Sequence, residues 1–143
     1  SMNYVSVKGG NKFQREVVEK TVCFMVKELL PRFRTLEIEV NLKKMNDDAV
    51  GYCLMGDTNR EFEIECSRDV TLKELVTTVV HEMIHVKQYA RKEMNDNLVE
   101  GGCAVWRGKK VSPNTTYYNL PWEKEAYKLQ DKYAQKIWDA DIL

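Results

Sequence analysis

The histidines of this chain are concentrated in one short segment. The sequence VVHEMIHVKQY occupies residues 79–89 and contains His81 and His85, the only two histidines in the chain. On a helix, residues four apart lie on one face, so the two imidazoles would stand side by side. This spacing suits two neighbouring ligand positions on one Zn²⁺ ion. Glu82 lies about 100° round the helix from His81, where its carboxylate could reach a water on the metal.

The residues around the pair predict an amphipathic helix with the histidines on its polar side. Thr77, Thr78 and Gln88 flank the histidines. The opposite side of the helical wheel is apolar and is formed by Leu72, Leu75, Val76, Val79, Met83 and Val86. The alternative is that the histidines are surface residues of an ordinary helix, but chance would rarely collect every histidine of a chain there.

A third ligand is needed, because a catalytic zinc ion usually has three protein ligands and one water. The candidates are carboxylates and cysteines, and the segment PWEKEAY offers Glu123 and Glu125. On a helical wheel, Glu125 falls in a charged arc, whereas Glu123 falls in the apolar arc. A carboxylate on a buried face needs a partner, and either a metal or an arginine would serve. We therefore favour Glu123 as the third ligand, with Glu125 and Cys103 as alternatives.

Hydrophobic periodicity and capping signals predict the elements that position these residues. Thr71 and Glu74 fit a capping box, which starts the helix of the histidine pair. The patterns predict a helix over residues 12–30, strands over 35–42, 50–56 and 61–66, a helix over 72–93, a long loop over 95–119 and a helix over 119–140. This order predicts one α+β domain over residues 1–143. It has an N-terminal helix, a three-stranded antiparallel or mixed sheet, and a C-terminal helix that carries the third ligand.

Composition narrows the classes of function. The chain has 22 basic and 22 acidic residues, which argues against a general nucleic-acid or membrane-surface binder. Its four cysteines form no C-x-x-C pair, which favours free thiols in a reducing compartment. The sequence shows no leader pattern and no apolar run of membrane-spanning length, so a cytoplasmic location is expected.

The segments HEMIHVKQY, VWRGKK and YYNLPWEKEAY resemble zincin metallopeptidases, and the resemblance covers about residues 60–140. It is closest to small stand-alone domains of the glutamate-zincin type, in which a downstream glutamate in an E-x-x-A context completes the HExxH site. Glu123 stands three residues before Ala126 here. The chain lacks the third histidine of the related SprT-like pattern. It also has Tyr127 where many glutamate-zincins place an aspartate that supports a histidine ligand, so the outer sphere of the site must differ or be missing.

The resemblance implies zinc-dependent hydrolysis of peptide bonds. The zinc ion would lower the pKa of a water and polarise the scissile carbonyl, while Glu82 would act as general base. Tyr117 and Tyr118 are candidate donors to the oxyanion, although either could instead be a packing residue. The expected partner is a peptide or protein substrate, with neither nucleic acid nor a membrane involved.

The strand predicted over residues 61–66 precedes the histidine helix. In zincins this position is that of an edge strand to which the substrate adds as a further strand. Three glutamates project from the other side of this strand: Glu61, Glu63 and Glu65. They could favour basic substrates, but we favour the interpretation that they protect the sheet edge from aggregation.

Two other functions share the same residues. The first is a zinc-stabilised protein-binding module without turnover, which the missing aspartate and the small size of the chain would suit. The second is a metal-dependent hydrolase of a non-peptide amide, which rests on the generality of zinc-assisted hydrolysis.

Overall fold

The computed structural model describes residues 2–96 and 103–143 and has the α+β fold that the sequence predicts. The larger elements are β1 (Tyr4–Gly9), α1 (Lys12–Leu29), β2 (Glu37–Lys43), β3 (Gly51–Met55), β4 (Glu61–Ser67), α2 (Leu72–Ala90) and α3 (Pro121–Asp139). Between α2 and α3 lie three short strands and a 3₁₀ helix: β5 (Met94–Asn95), β6 (Val105–Trp106), β7 (Lys109–Lys110) and Tyr117–Asn119.

Within the described residues, the main sheet has four strands rather than the predicted three, in the order β1-β2-β4-β3. β1, β2 and β4 are parallel, and β3 is antiparallel to β4. Helix α1 is the crossover that the parallel β1–β2 pair requires. The prediction missed β1 because its sequence YVSVKG has only two aliphatic residues, Val5 and Val7, which is too short an alternation to separate a strand from a loop.

The predicted edge position of the strand over residues 61–66 is wrong. β4 lies between β2 and β3, and β3 forms the edge of the sheet. Periodicity predicts which residues share a face. It does not reveal that β2 pairs directly with β4, although β3 lies between them in the sequence. The glutamates Glu61, Glu63 and Glu65 therefore lie on an internal strand, where they pair in register with β2 and protect no edge.

The core lies between one face of the sheet and the helices. Alternate residues of β2 and β4 point into it, as the strand patterns predict: Ile38, Val40, Leu42, Phe62, Ile64 and Cys66 are all buried. Helix α1 packs on β1 and α2. Burying each large aliphatic side chain contributes about 1.5–3 kcal/mol, so this layer holds α2 firmly against the sheet.

Helix α2 begins at the predicted capping box. The Thr71 hydroxyl accepts from the Glu74 N–H at 3.2 Å, and the Glu74 carboxylate accepts from the Thr71 N–H at 3.4 Å. The helix ends at Ala90 rather than at residue 93. Its end is set by Lys92, whose φ of 58° lies in the left-handed region and turns the chain into β5.

The loop predicted over residues 95–119 contains regular structure. β5, β6 and β7 form a small antiparallel sheet. Arg107 and Gly108 have φ values of 48° and 84°, as a tight hairpin turn requires. Strands of two residues are too short to show periodicity, which is why they were not predicted. Part of the predicted loop, residues 97–102, lies outside the described residues.

Helix α3 starts with Pro121 at its first position, where the missing N–H of proline costs nothing. It packs along α2 and therefore brings its first turn, with Glu123, towards the histidine pair. Among the described residues, no helix is both long and apolar enough to cross a membrane.

Candidate metal centre

His81, His85 and Glu123 meet in a buried cluster that could hold a metal ion. Oε1 of Glu123 lies 3.0 Å from Nε2 of His81 and 3.2 Å from Nε2 of His85. The three side chains offer one ligand atom each, and these atoms lie within 4.8 Å of one another. Zinc bonds of about 2.0 Å in tetrahedral geometry separate ligand atoms by about 3.3 Å, so the two distances from Glu123 to the imidazole nitrogens suit neighbouring ligands on one ion.

Two helices position these ligands. His81 and His85 are four residues apart on α2, with ring centroids 5.0 Å apart, as neighbours on one helix face should be. Glu123 lies in the first turn of α3 and is only 8% exposed. Helix α3 packs on α2, and Ala126, Ala134 and Ile137 are buried on the same helix as Glu123.

Gln88 determines the tautomer of His85. The Gln88 side-chain nitrogen donates to the Trp122 carbonyl at 3.0 Å and to Glu125 at 3.1 Å, which fixes the orientation of its amide. Its Oε1 therefore faces Nδ1 of His85 at 2.7 Å, and an amide oxygen can only accept. His85 must donate from Nδ1, so in the neutral imidazole Nε2 is an acceptor.

A cation would stabilise this arrangement of acceptor atoms. Nε2 of neutral His85 and Oε1 of Glu123 are both acceptors, yet they lie 3.2 Å apart in a buried site. Two acceptors at that distance repel unless a positive charge lies between them, either a proton on the imidazole or a metal ion. The donor set of two nitrogens and one carboxylate oxygen, with its outer hydrogen bonds in place, fits a metal.

Gln130 and Tyr127 support His81 from α3. Oε1 of Gln130 lies 2.7 Å from Nδ1 of His81, and the Tyr127 ring packs edge-on against the imidazole at a centroid distance of 4.6 Å. The outer sphere therefore differs from the aspartate pattern, as Tyr127 led us to expect. Sequence analysis missed Gln130, although its position seven residues after Glu123 places it on the same face of a helix.

The ionisable groups of the cluster shift one another's pKa values. Burial disfavours the carboxylate of Glu123, but the hydrogen bonds and charges of His81 and His85 outweigh it and lower its pKa to about 2. Burial likewise disfavours charged His85, but the hydrogen bond and charge of Glu123 outweigh it and raise its pKa. The site therefore holds its carboxylate ionised, which is the state that binds a metal.

Glu82 lies on α2 between the two histidines and is 6% exposed. Burial raises its pKa, while the positive charges of His85 and His81 act in the opposite direction. Within the described part of the chain, Glu82 has neither a hydrogen bond nor an ion pair of its own. A buried carboxylate without such a partner is costly and is a recognised mark of functional sites.

The alternative ligands lie elsewhere. Glu125 accepts hydrogen bonds from Lys87 at 2.8 Å, from Gln88 at 3.1 Å and from Arg107 at 2.6 Å. Its carboxylate is fully engaged by these donors and is not a member of the ligand cluster. Cys103 is a free, half-buried thiol and is also outside the cluster.

The two tyrosines named from the sequence take different positions. The Tyr117 hydroxyl lies 3.3 Å from that of Tyr127. Partial burial, the hydrogen bond with Tyr127 and the charge of Glu123 together raise the pKa of Tyr117, so it stays a protonated donor beside the ligand cluster. Tyr118 is 71% exposed and packs edge-on against Tyr117, so it belongs to the rim.

The cluster opens on a cleft of about 800 Å³. One wall is the edge strand, with Gly51, Tyr52 and Cys53, and the floor is α2. The opposite wall comes from the 3₁₀ helix and α3 and includes three tyrosines: Tyr117, Tyr118 and Tyr127. The end of the cleft beyond His85 is largely apolar and is lined by Tyr89, Met94 and Trp122.

Comparisons with protein-family models, with curated proteins and with solved structures found no match to this chain.

Proposed function

We propose that this protein is a zinc-dependent metallopeptidase of the glutamate-zincin type. The observation that carries the proposal is the buried cluster of His81, His85 and Glu123 at the floor of a long cleft, with the carboxylate of Glu82 beside it. A set of two histidines and one glutamate, with room for a further ligand, is typical of catalytic zinc. The metal, the activity and the roles of the residues are all part of the proposal.

Zinc is the ion we favour because of the donor atoms and their outer sphere. Two imidazole nitrogens and one carboxylate oxygen are borderline donors that suit Zn²⁺ better than Ca²⁺ or Mg²⁺, which prefer oxygen ligands alone. Gln88 and Gln130 accept from the Nδ1 atoms of the two histidines at 2.7 Å. Such hydrogen bonds orient histidine ligands and raise their basicity.

A bound zinc ion would supply Lewis acidity, which lowers the pKa of water and polarises a carbonyl group. Glu82 would take the proton from the attacking water and pass it to the leaving amine. Its raised pKa brings it closer to the operating pH, which favours a general base. Tyr117, a protonated hydroxyl beside Glu123, would donate a hydrogen bond to the developing oxyanion.

The shape of the cleft supports an extended peptide as substrate. Within the described residues, β3 is an edge strand with no strand on its outer side, and a peptide could add there as a further strand. This role moves to β3 from the strand over residues 61–66, which is internal. The apolar end of the cleft, with Tyr89, Met94 and Trp122, would accept a large apolar side chain next to the scissile bond.

A zinc-stabilised binding module would need the same three ligands, so the argument for catalysis rests on Glu82. The carboxylate of Glu82 lines the cleft, is 6% exposed and has no hydrogen-bonding or ion-pairing partner in the described residues, and its burial disfavours the charged form. A module without turnover would have no use for such a residue. This cost favours catalysis over a purely structural zinc site.

The proposal is tested by metal removal and restoration. Zinc-loaded protein should cleave members of a mixed peptide library detected by mass spectrometry, a chelator should abolish the cleavage, and added Zn²⁺ should restore it. A folded protein that binds zinc and cleaves no peptide would favour the binding module. Cleavage of small non-peptide amides but not of peptides would instead indicate a metal-dependent hydrolase of a non-peptide amide.

A further inference from the structure

Gly51 brings the backbone of the edge strand against α2 beside Glu82. It is the first residue of β3 and lines the cleft. A methyl group added at its Cα would lie 2.7 Å from Cγ2 of Thr78 and 3.2 Å from Oε2 of Glu82. Carbon atoms pack at about 3.5–4.0 Å, so an alanine at this position does not fit unless a neighbour moves.

The requirement for glycine is steric rather than conformational. The φ angle of Gly51 lies outside the left-handed region, so the backbone conformation is open to any residue. The other near atom is the carbonyl oxygen of Glu65, at 3.2 Å, which is held by the pairing of β3 with β4. Thr78 is β-branched and lies on a helix, which restricts its χ1 to two rotamers. The neighbour that can yield most readily is the Glu82 carboxylate.

We infer that Gly51 is a positioning residue for the general base. Its missing side chain lets the edge strand lie against α2 while Oε2 of Glu82 keeps its place at the floor of the cleft. The inference rests on the proposed role of Glu82 in peptide hydrolysis. The three nearest atoms to the added methyl group belong to Thr78, Glu65 and Glu82, so the metal ligands are not in its way.

The test is a double-mutant cycle in the zinc-loaded protein: wild type, Gly51→Ala, Thr78→Ser and the double variant. Serine lacks Cγ2, so Thr78→Ser removes the contact at 2.7 Å. We expect Gly51→Ala to lower kcat by at least about tenfold, because displacing a catalytic group by about 1 Å can cost up to 10²-fold. KM and the zinc content should change little. In the Thr78→Ser background, Gly51→Ala should lower kcat by a clearly smaller factor.

A second readout needs no activity. In zinc-free protein, Gly51→Ala should lower the midpoint of thermal unfolding more in the Thr78 background than in the serine background, because residues in contact show coupled effects. Gly56→Ala is the matched control. An added methyl group there would lie 3.0 Å from Cβ of Glu61. It would be crowded at the other end of β3 without reaching Glu82, so kcat should stay at the wild-type value.

Two results would overturn the inference while leaving the proposed function intact. One is a Gly51→Ala variant with wild-type kcat. The other is a loss of kcat that is equal in the threonine and serine backgrounds, or equal for Gly51→Ala and Gly56→Ala. Failure of the proposed function is seen in the wild type itself, as zinc-loaded protein without peptidase activity. In that case the positioning role inferred for Gly51 fails together with the catalytic role of Glu82.

Discussion

Gln88 accepts a hydrogen bond from Nδ1 of His85 at 2.7 Å and is completely buried. The same amide donates to Glu125, which is in turn bound by Lys87 and Arg107. The orientation of one candidate metal ligand is therefore tied to an ion-pair network that joins α2, α3 and the β6–β7 hairpin. Sequence analysis placed Gln88 beside the histidines without assigning it this role.

We predict that Gln88→Met weakens zinc binding by about 10–100-fold, the usual cost of losing an outer hydrogen bond to a histidine ligand. Methionine keeps the length of the side chain and removes both polar atoms. The dissociation constant can be measured by competition with a chromophoric chelator. Gln135→Met, on the exposed face of α3, is the control and should bind zinc as the wild type does. Equal affinities in the two variants would contradict the assigned role of Gln88.

Glu123→Ala and Glu125→Ala should separate the metal ligand from its neighbour. Elemental analysis should find about one zinc ion per wild-type chain and a sharp loss in Glu123→Ala. Glu125→Ala should retain most of the zinc but unfold at a lower temperature, because Lys87 and Arg107 lose their shared carboxylate. Loss of zinc in Glu125→Ala alone would reverse the assignment.

The raised pKa of His85 predicts opposite effects of pH with and without zinc. In zinc-free protein the protonated His85–Glu123 pair stabilises the fold below 6.5, the ordinary pKa of histidine, and this contribution is lost as the pH rises through the higher folded-state value. Zinc binds the neutral imidazole, so its stabilisation grows as the pH rises. The difference in unfolding temperature between zinc-loaded and zinc-free protein should widen from about pH 6 to about pH 8. A difference that shrinks over this range would contradict the assignment.

Tyr117→Phe should lower kcat by about 10²–10³-fold, the usual cost of removing one oxyanion donor, with the zinc content unchanged. Tyr118→Phe should have the smaller effect, because Tyr118 lies on the exposed rim of the cleft. Steady-state kinetics on one cleaved peptide would compare the two variants. A larger loss in Tyr118→Phe would exchange their roles.

The features that could be predicted are those with a local physical cause. The spacing of His81 and His85, the capping box at Thr71 and the inward position of Glu123 all follow from helix geometry. Each depends on one element and on residues within a few turns of one another. The described structure brings His81, His85 and Glu123 together in a cluster that could hold a metal ion.

The features that could not be predicted depend on contacts between elements. The pairing of β2 with β4 makes β3 the edge strand, and no periodicity within β3 or β4 reveals it. Gln130 reaches His81 only because α3 packs along α2. The closeness of Gly51 to Thr78 and Glu82 likewise comes from the packing of a strand on a helix, which a single sequence does not display.

The most direct test of the central claim compares zinc-loaded wild type with zinc-loaded Glu82→Gln on the same peptide library. Glutamine preserves the shape of the side chain and removes its capacity to accept a proton. We expect equal zinc content and a loss of cleavage of at least about 10²-fold in Glu82→Gln, the usual contribution of a positioned general base. Equal cleavage by the two proteins would contradict the account, because the buried carboxylate between the histidines would then have no part in the chemistry.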